Sequence, residues 1–274
     1  MTQKTTRKLL VVTDLDSSLL DEDYGYDGAK EAIRELKEHG FPLVPNSSKT
    51  YAELRFLAHE LEQCYAVVAE NGGMVAVHKE SVIAPEGEAD AFGYIPQSSG
   101  MSRQEILRYA HGLRASEGYQ FEGFSDWSVE QVVEHTGLST ESARQAMERD
   151  TTEPILWRDT DQEWEVFMAK MQQHGVKALR GGRFIHLMGP VDKAQGMQKV
   201  TELYQQAEPT TEWVVVAVGD SANDKAMLEA ADIAVVIPHA DGPRVDPNNS
   251  HRIDAVQTGS KGWGEAISNI IKNF

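Results

Sequence analysis

Leu9-Leu10-Val11-Val12-Thr13-Asp14-Leu15-Asp16-Ser17-Ser18 is the stretch from which the fold of this 274-residue chain is read. The five residues before Asp14 are apolar or β-branched, which predicts a strand buried on both faces in a parallel sheet. Two carboxylates, Asp14 and Asp16, then appear where that strand ends. In an open α/β sheet the carboxyl ends of the strands are where ligands bind. Close carboxylates raise each other's pKa unless a cation lies between them. A divalent metal would remove that penalty and leave one oxygen free to attack. An Asp-x-Asp at this place also fits a helix cap followed by a first-turn acid, or a solvated turn. The rest of the chain has to choose between them.

Composition narrows the class. Hydrophobic residues at 41% and charged residues at 25% fit an ordinary globular protein of one large or two smaller domains. No stretch is apolar for long enough to span a bilayer. The first eight residues are basic, and the apolar run behind them reaches Asp14 too soon for a secretory leader. The one cysteine, Cys64, excludes an intrachain disulfide, and the expected compartment is a reducing cytoplasm. A formal net charge of -17 argues against binding to nucleic acid or to an anionic membrane. It would also repel a phosphorylated ligand, so local cations or a metal must supply the attraction. The same surplus fits adaptation to a salty cytosol.

Strands and helices alternate at both ends. Ala29, Ala32, Ile33 and Leu36 recur at helical spacing over 27–39. Gly40 stops that helix, and 41–45 reads as a strand with prolines at its margins. A helix over 51–61, a strand over 65–69 and a short hairpin strand over 74–78 follow. Near the other end, 213–218 is the most apolar strand, followed by a helix over 225–231 and a strand over 233–237. Short links between these elements imply right-handed crossovers and a parallel sheet.

The middle mixes strands (119–124, 152–157, 176–179, 184–188) with helices (102–116, 161–174, and two opening at Ser128 and Ser139). This predicts an α+β insert at 90–188, with 1–89 and 189–274 forming the core. Residues 87–100, rich in Gly, Pro and Ser, are expected to form a hinge.

Three more groups carry chemistry. Asn46-Ser47-Ser48-Lys49 follows the second strand, where hydroxyls and a lysine can bind a phosphoryl group or a serine can cap the next helix. Asp192-Lys193 opens the helix expected at 194–206, where the lysine either neutralises a phosphate or is a solvated charge. Gly219-Asp220-Ser221-Ala222-Asn223-Asp224 ends the most apolar strand with oxygen ligands of the kind that suit Mg²⁺. A helix cap accounts for one of these residues but not for Asn223 and Asp224 together.

In this order along the chain, the four groups resemble the haloacid dehalogenase (HAD) superfamily of phosphotransferases. The resemblance implies an α/β fold, a Rossmann-like core with a parallel sheet, and an inserted mobile cap of the type-two class. It implies Asp14 as the nucleophile that forms an aspartyl-phosphate, and Asp16 as the acid and then the base. Ser47 would bind the transferring phosphoryl and Lys193 would offset its charge. Asp14, Asp220 and Asp224, with Asn223 nearby and the backbone carbonyl of Asp16, would hold Mg²⁺. The superfamily usually has Gly-Thr after the second Asp. Here Ser17-Ser18 stand there, and Ser17 lacks the backbone freedom of glycine.

Finer matches, Ser47-Ser48-Lys49-Thr50, Ala69-Glu70-Asn71-Gly72, Trp157-Arg158-Asp159 and Gly182-Arg183-Phe184-Ile185-His186, resemble the mannosyl-3-phosphoglycerate phosphatase family. That family produces mannosylglycerate, a compatible solute. The implied partner is a small phosphorylated sugar or glycosyl-phosphoglycerate. Ser48, Lys49, Glu70, Asn71, Arg158, Arg183 and His186 become candidate substrate-binding residues. Arg183, Arg158 or His186 would meet the substrate carboxylate or hydroxyls, since arginine pairs carboxylates bidentately. In a regular strand Arg183 and His186 face opposite sides, so both reach one site only if Arg183 lies in a turn at 181–182. A broader sugar-phosphate phosphatase and a catalytically weak binding protein of the same fold are the competing readings.

Overall fold

The computed structural model describes residues 6–61, 64–180 and 183–274. The chain runs through β1 (Thr6–Thr13), α1 (Lys30–His39), β2 (Leu43–Pro45), α2 (Tyr51–Glu60), β3 (Ala66–Ala69), β4 (Met74–His78) and β5 (Tyr94–Ser98). It continues through α3 (Arg103–Glu117), β6 (Phe121–Gly123), α4 (Val129–Thr136), α5 (Thr140–Met147), β7 (Thr152–Trp157), α6 (Asp161–Gln173), β8 (Lys177–Arg180) and β9 (Ile185–Met188). It closes with α7 (Lys193–Ala207), β10 (Thr211–Gly219), α8 (Lys225–Ala230), β11 (Ile233–Val236), β12 (Arg252–Asp254) and α9 (Gly259–Asn273).

The central sheet has strand order β12-β11-β10-β1-β2, and every pairing in it is parallel. β1 sits inside it, and Leu9 to Val12 are fully buried, which is why that stretch is apolar without alternation. Leu9 and Val11 face a layer that includes Leu36, Leu54, Trp263 and Ile267 of α1, α2 and α9. Leu10 and Val12 face Met197, Val200 and Leu228 of α7 and α8. The period-two alternation of β1 thus serves two helical layers.

Beyond β2, a bridge between Asn46 and Val68 leads to an antiparallel sheet of β3-β4-β5. β5 pairs with β4 along its whole length, from Met74↔Ser98 to His78↔Tyr94. Residues 94–98, expected within a hinge, are therefore a strand paired within this sheet. Proline and serine there misled because an edge strand tolerates them.

The intervening chain builds a separate antiparallel sheet, β6-β7-β9-β8. Ile106 and Ala110 of α3 and Phe167 and Met171 of α6 pack on its Ile155, Ile185 and Leu187. Trp164 joins that cluster, while Trp127 is buried with Phe124 against α4 and α5, so both tryptophans pack. Ser102, Ser128 and Ser139 cap α3, α4 and α5, and Gly118 and Gly137 end α3 and α4 in the left-handed region.

Candidate active site

Four chain segments meet at the carboxyl ends of β1, β2 and β10, and each arrives for a local reason. Asp14 leaves β1 with its N–H still bonded to Val218 O of β10 at 2.8 Å. Trp263 Nε1 donates to Thr13 Oγ1, which donates to the Asp14 carbonyl, so the nucleophile candidate's backbone is pinned from α9. Ser47 follows β2, its N–H bonded to Val68 O. The helix after it is capped by Thr50, in a capping box with Glu53. Ser47 and Ser48 are thus free of the capping duty that competed for them.

Lys193 is the first residue of α7, whose cap is Asp192. Gly72 and Gly196 let α7 come this close. A Cβ on Gly72, whose φ is +93°, would lie 2.1 Å from Asp192 O, and one on Gly196 would lie 2.4 Å from Val68 Cγ1. Asp220 ends β10, and Asp224 folds back so that its Oδ2 accepts the N–H groups of Asp220 and Ser221 at 3.2 and 3.0 Å.

The result is a buried charge cluster. Lys193 Nζ donates to Asp14 Oδ1 and to Asp224 Oδ1, each at 2.6 Å. Carboxylate oxygens of Asp14, Asp220 and Asp224 lie within 4.8 Å of one another. Burial and the neighbouring Asp224 carboxylate hold Asp14 well above the usual carboxylate range, opposed by Lys193. Burial alone would lower the Lys193 pKa, but Asp14 and Asp224 raise it on balance, keeping the ammonium charged. Three carboxylates around one ammonium leave negative charge in excess in a buried place, which calls for a further cation. His239 Nε2 lies 2.6 Å from Asp220 Oδ2, and Ser18 Oγ donates to Asp220 Oδ1 at 3.3 Å.

Asp16 and Asn223 have their side chains outside this three-acid group. The Asp16 carboxylate is half exposed and lies 3.1 Å from Lys49 Nζ. Burial pulls the Lys49 pKa down, but Asp16 and Glu53 more than offset it, so the net shift is upward. Asn223 Oδ1 accepts from Ser221 Oγ at 2.6 Å. Ser17 takes a left-handed φ of 62° despite not being glycine.

The candidate substrate residues scatter. Ser47 is buried, its Oγ accepting from Lys49 N at 3.2 Å, and Ser48 lies beside it. Lys49 and Tyr24 border a groove of about 650 Å³ that Glu53, Ser139, Ser142 and Gln145 also line. Glu70 meets the insert: its buried carboxylate accepts from Asp150 N at 2.8 Å, Thr151 N at 3.1 Å and Thr152 Oγ1 at 2.6 Å. It ties the returning end of the insert to the core. Asn71 has a left-handed φ of 56°, donates its N–H to Ser47 O, and buries an amide that has no partner on either atom.

Arg158 is half exposed and 3.5 Å from Glu122. Arg183 is exposed and donates to His135 O. Neither touches a residue of the charge cluster, because each side chain is spent on a neighbour within the insert. The turn at 181–182 lies outside the described residues. His186 stands on β9 with Nδ1 enclosed and unpartnered, and burial with the nearby Arg149 charge pushes its pKa down to about 3.

Two residues at the site carry no sequence signal that would have singled them out. His239 sits in the loop after β11. Arg149 lies between α5 and β7 in a run of polar residues, and it reaches Ser48 O across the seam.

Comparison with known proteins gives a consistent picture. The family described as haloacid dehalogenase-like hydrolase matches residues 11–247. A glucosyl-3-phosphoglycerate/mannosyl-3-phosphoglycerate phosphatase of Methanococcoides burtonii is 34% identical over 268 residues, covering 96% of this chain and 97% of the relative. A protein of the same description from Persephonella marina is 31% identical, covering 97% of this chain and 98% of that one. The crystal structure of a haloacid dehalogenase-like hydrolase from Bacteroides thetaiotaomicron superposes with a TM-score of 0.66 at 17% identity, over 97% of this chain and all of that one.

Proposed function

Since the chain belongs to the haloacid dehalogenase-like hydrolase family and is a phosphomonoester hydrolase, we propose that it releases phosphate from a glycosyl-3-phosphoglycerate, with mannosyl-3-phosphoglycerate as substrate and mannosylglycerate as product. The observation that carries the chemistry is the buried Asp14–Lys193–Asp224 arrangement with Asp220 beside it. The description of the two relatives supports the substrate.

Asp14 is the nucleophile. Its carboxylate oxygen attacks phosphorus, and the bond from phosphorus to the ester oxygen breaks. Asp16 donates its proton to the leaving alkoxide. Water then attacks the phosphorus of the Asp14 acyl phosphate while Asp16 takes back a proton. Phosphate leaves and Asp14 is regenerated. Ser47 Oγ and Lys193 Nζ hold the transferring group, whose transition state needs alignment and charge neutralisation above all. The three buried acids fit a hard divalent cation: Asp14, Asp220 and Asp224 would hold Mg²⁺, which supplies charge neutralisation at the phosphoryl oxygens. The sugar occupies the groove beside Lys49 and Tyr24, on the side of Asp16, where a leaving group must depart.

Purified protein with Mg²⁺, assayed for phosphate release across mannosyl-3-phosphoglycerate, glucosyl-3-phosphoglycerate and hexose phosphates, tests this. We expect the highest kcat/KM on mannosyl-3-phosphoglycerate and loss of activity in EDTA. Comparable turnover of all esters would replace the assignment by a broad sugar-phosphate phosphatase. No release from any of them would end the phosphatase mechanism.

A further inference from the structure

We propose that Arg149 is the specificity-determining residue that binds a carboxylate on the leaving group, using the Nε–Nη2 edge of its guanidinium. This rests on the substrate reading above and assigns its acid group to a residue of the insert.

Arg149 is held beside the catalytic loop. Its Nη1 donates to Thr152 Oγ1 at 2.8 Å and to Ser48 O at 3.4 Å, next to Ser47. The segment that carries it is fixed by Glu70, which accepts from the next two N–H groups, those of Asp150 and Thr151. The guanidinium carbon lies 5.7 Å from the centre of the Phe124 ring.

With Nη1 used, the Nε–Nη2 edge makes no hydrogen bond among the described residues. Nε is enclosed and has no hydrogen-bond partner, and among the described residues no carboxylate pairs with Arg149. Four other cations of the site and insert hold acids. Lys193 holds Asp14 and Asp224, Lys49 holds Asp16, Arg103 holds Glu153 at 2.6 Å, and Arg158 faces Glu122. Arg149 is thus a cation touching the Ser47–Ser48 loop with no carboxylate in direct contact, Glu70 reaching it only through Thr152 Oγ1. The Nε–Nη2 edge presents two parallel donors, and a planar carboxylate is the acceptor that matches them.

Two further enclosed groups without partners stand on neighbouring segments. His186 Nδ1 is on β9, where the ring feels the Arg149 charge, and the Asn71 amide follows β3, its backbone bonded to Ser47. Buried polar groups are rarely left unmade, and unsatisfied groups on Arg149 and Asn71, both bonded to the Ser47–Ser48 loop, point to a polar ligand.

The test uses a matched pair of ligands, 3-phosphoglycerate and glycerol 3-phosphate, which differ by a carboxylate against a hydroxymethyl group. Each is measured as an inhibitor of p-nitrophenyl phosphate hydrolysis by wild type, R149A and R149K with Mg²⁺. Wild type is expected to bind the carboxylated ligand at least tenfold more tightly. Both variants are expected to bring the two constants within threefold of each other. R149K keeps the charge but not the fork, and it serves if R149A fails to fold.

An undiminished preference in the variants overturns the proposal, as does equal or absent inhibition by the pair in wild type. The substrate reading fails separately. If glycosylated esters are not favoured but the Arg149-dependent preference holds, the carboxylate subsite stands and the sugar assignment falls.

Discussion

Asp16 and Asp14 are two residues apart, yet their surroundings differ in the way their proposed tasks require. Asp14 is 6% exposed and locked to Lys193, whereas the Asp16 side chain is about half exposed and meets Lys49. A proton donor has to exchange protons with water, and a nucleophile has to keep its lone pair aimed. Asp16→Asn is therefore expected to slow formation of the phosphorylated enzyme from an alkyl phosphate by ~10²–10⁴-fold. With p-nitrophenyl phosphate, whose leaving group needs no proton, a pre-steady-state burst should survive. Equal losses on both substrates would remove Asp16 from the acid role.

Ser17 teaches something different. Its identity departs from the glycine usual in similar chains, but its backbone takes φ 62° all the same, at a cost of about 1–2 kcal/mol. The missing glycine is visible in the sequence, whereas the left-handed backbone that Ser17 adopts without it is not. Glu70 shows the converse. Its place in a matching tetrapeptide suggested ligand binding, and its carboxylate accepts from the chain 80 residues further on, at Asp150 N. A partner so remote leaves no local trace.

Among the elements, β1, β10 and α7 were legible because burial dictates their composition. β1 from Leu9 to Val12 and β10 from Val214 to Val218 are apolar, and α7 starts at Lys193, which pairs with Asp14 and Asp224. β5 was not legible, because an edge strand needs no apolar alternation and its register comes from β4.

β9 carries the clearest pH consequence. His186 is held neutral there, its pKa pushed down to about 3 by burial and by Arg149, against an ordinary value near 6.5. The unfolded chain thus binds more protons at this residue in the window between about 6.5 and 3. Stability must fall as pH falls through that window, by up to ~1.4 kcal/mol per pH unit from this group. Urea titrations at pH 6.5, 5.5 and 4.5 should show a steeper fall for wild type than for His186→Gln. Parallel falls would contradict a neutral buried His186.

At the scale of the molecule, the site lies where a parallel sheet and an antiparallel insert meet. The seam is held by Glu70 on residues 150–152, by Thr50 Oγ1 donating to Gln145 O at 2.9 Å, and by Arg149 on Ser48 O. The Asp14–Lys193–Asp224 cluster belongs to the core, and residues of the insert border the groove beside Lys49. No helix among the described residues is long and apolar enough to cross a membrane. The core site was readable from sequence because its acids and lysine sit at strand ends and a helix start, which periodicity locates. Arg149 was not, because it stands in a polar run between α5 and β7 and meets the Ser48 carbonyl about a hundred residues away, which leaves no local pattern.

The central claim is that the phosphoryl group passes through the Asp14 carboxylate. Wild-type enzyme mixed with substrate and Mg²⁺, quenched in acid within one turnover and reduced with borohydride, tests it most directly. An acyl phosphate at Asp14 is converted to homoserine, which mass spectrometry of the peptide spanning Asp14 detects. Homoserine is expected at position 14, formed no more slowly than turnover and absent without substrate. Substrate hydrolysis with Asp14 unmodified throughout, or undiminished turnover in Asp14→Asn, would contradict it.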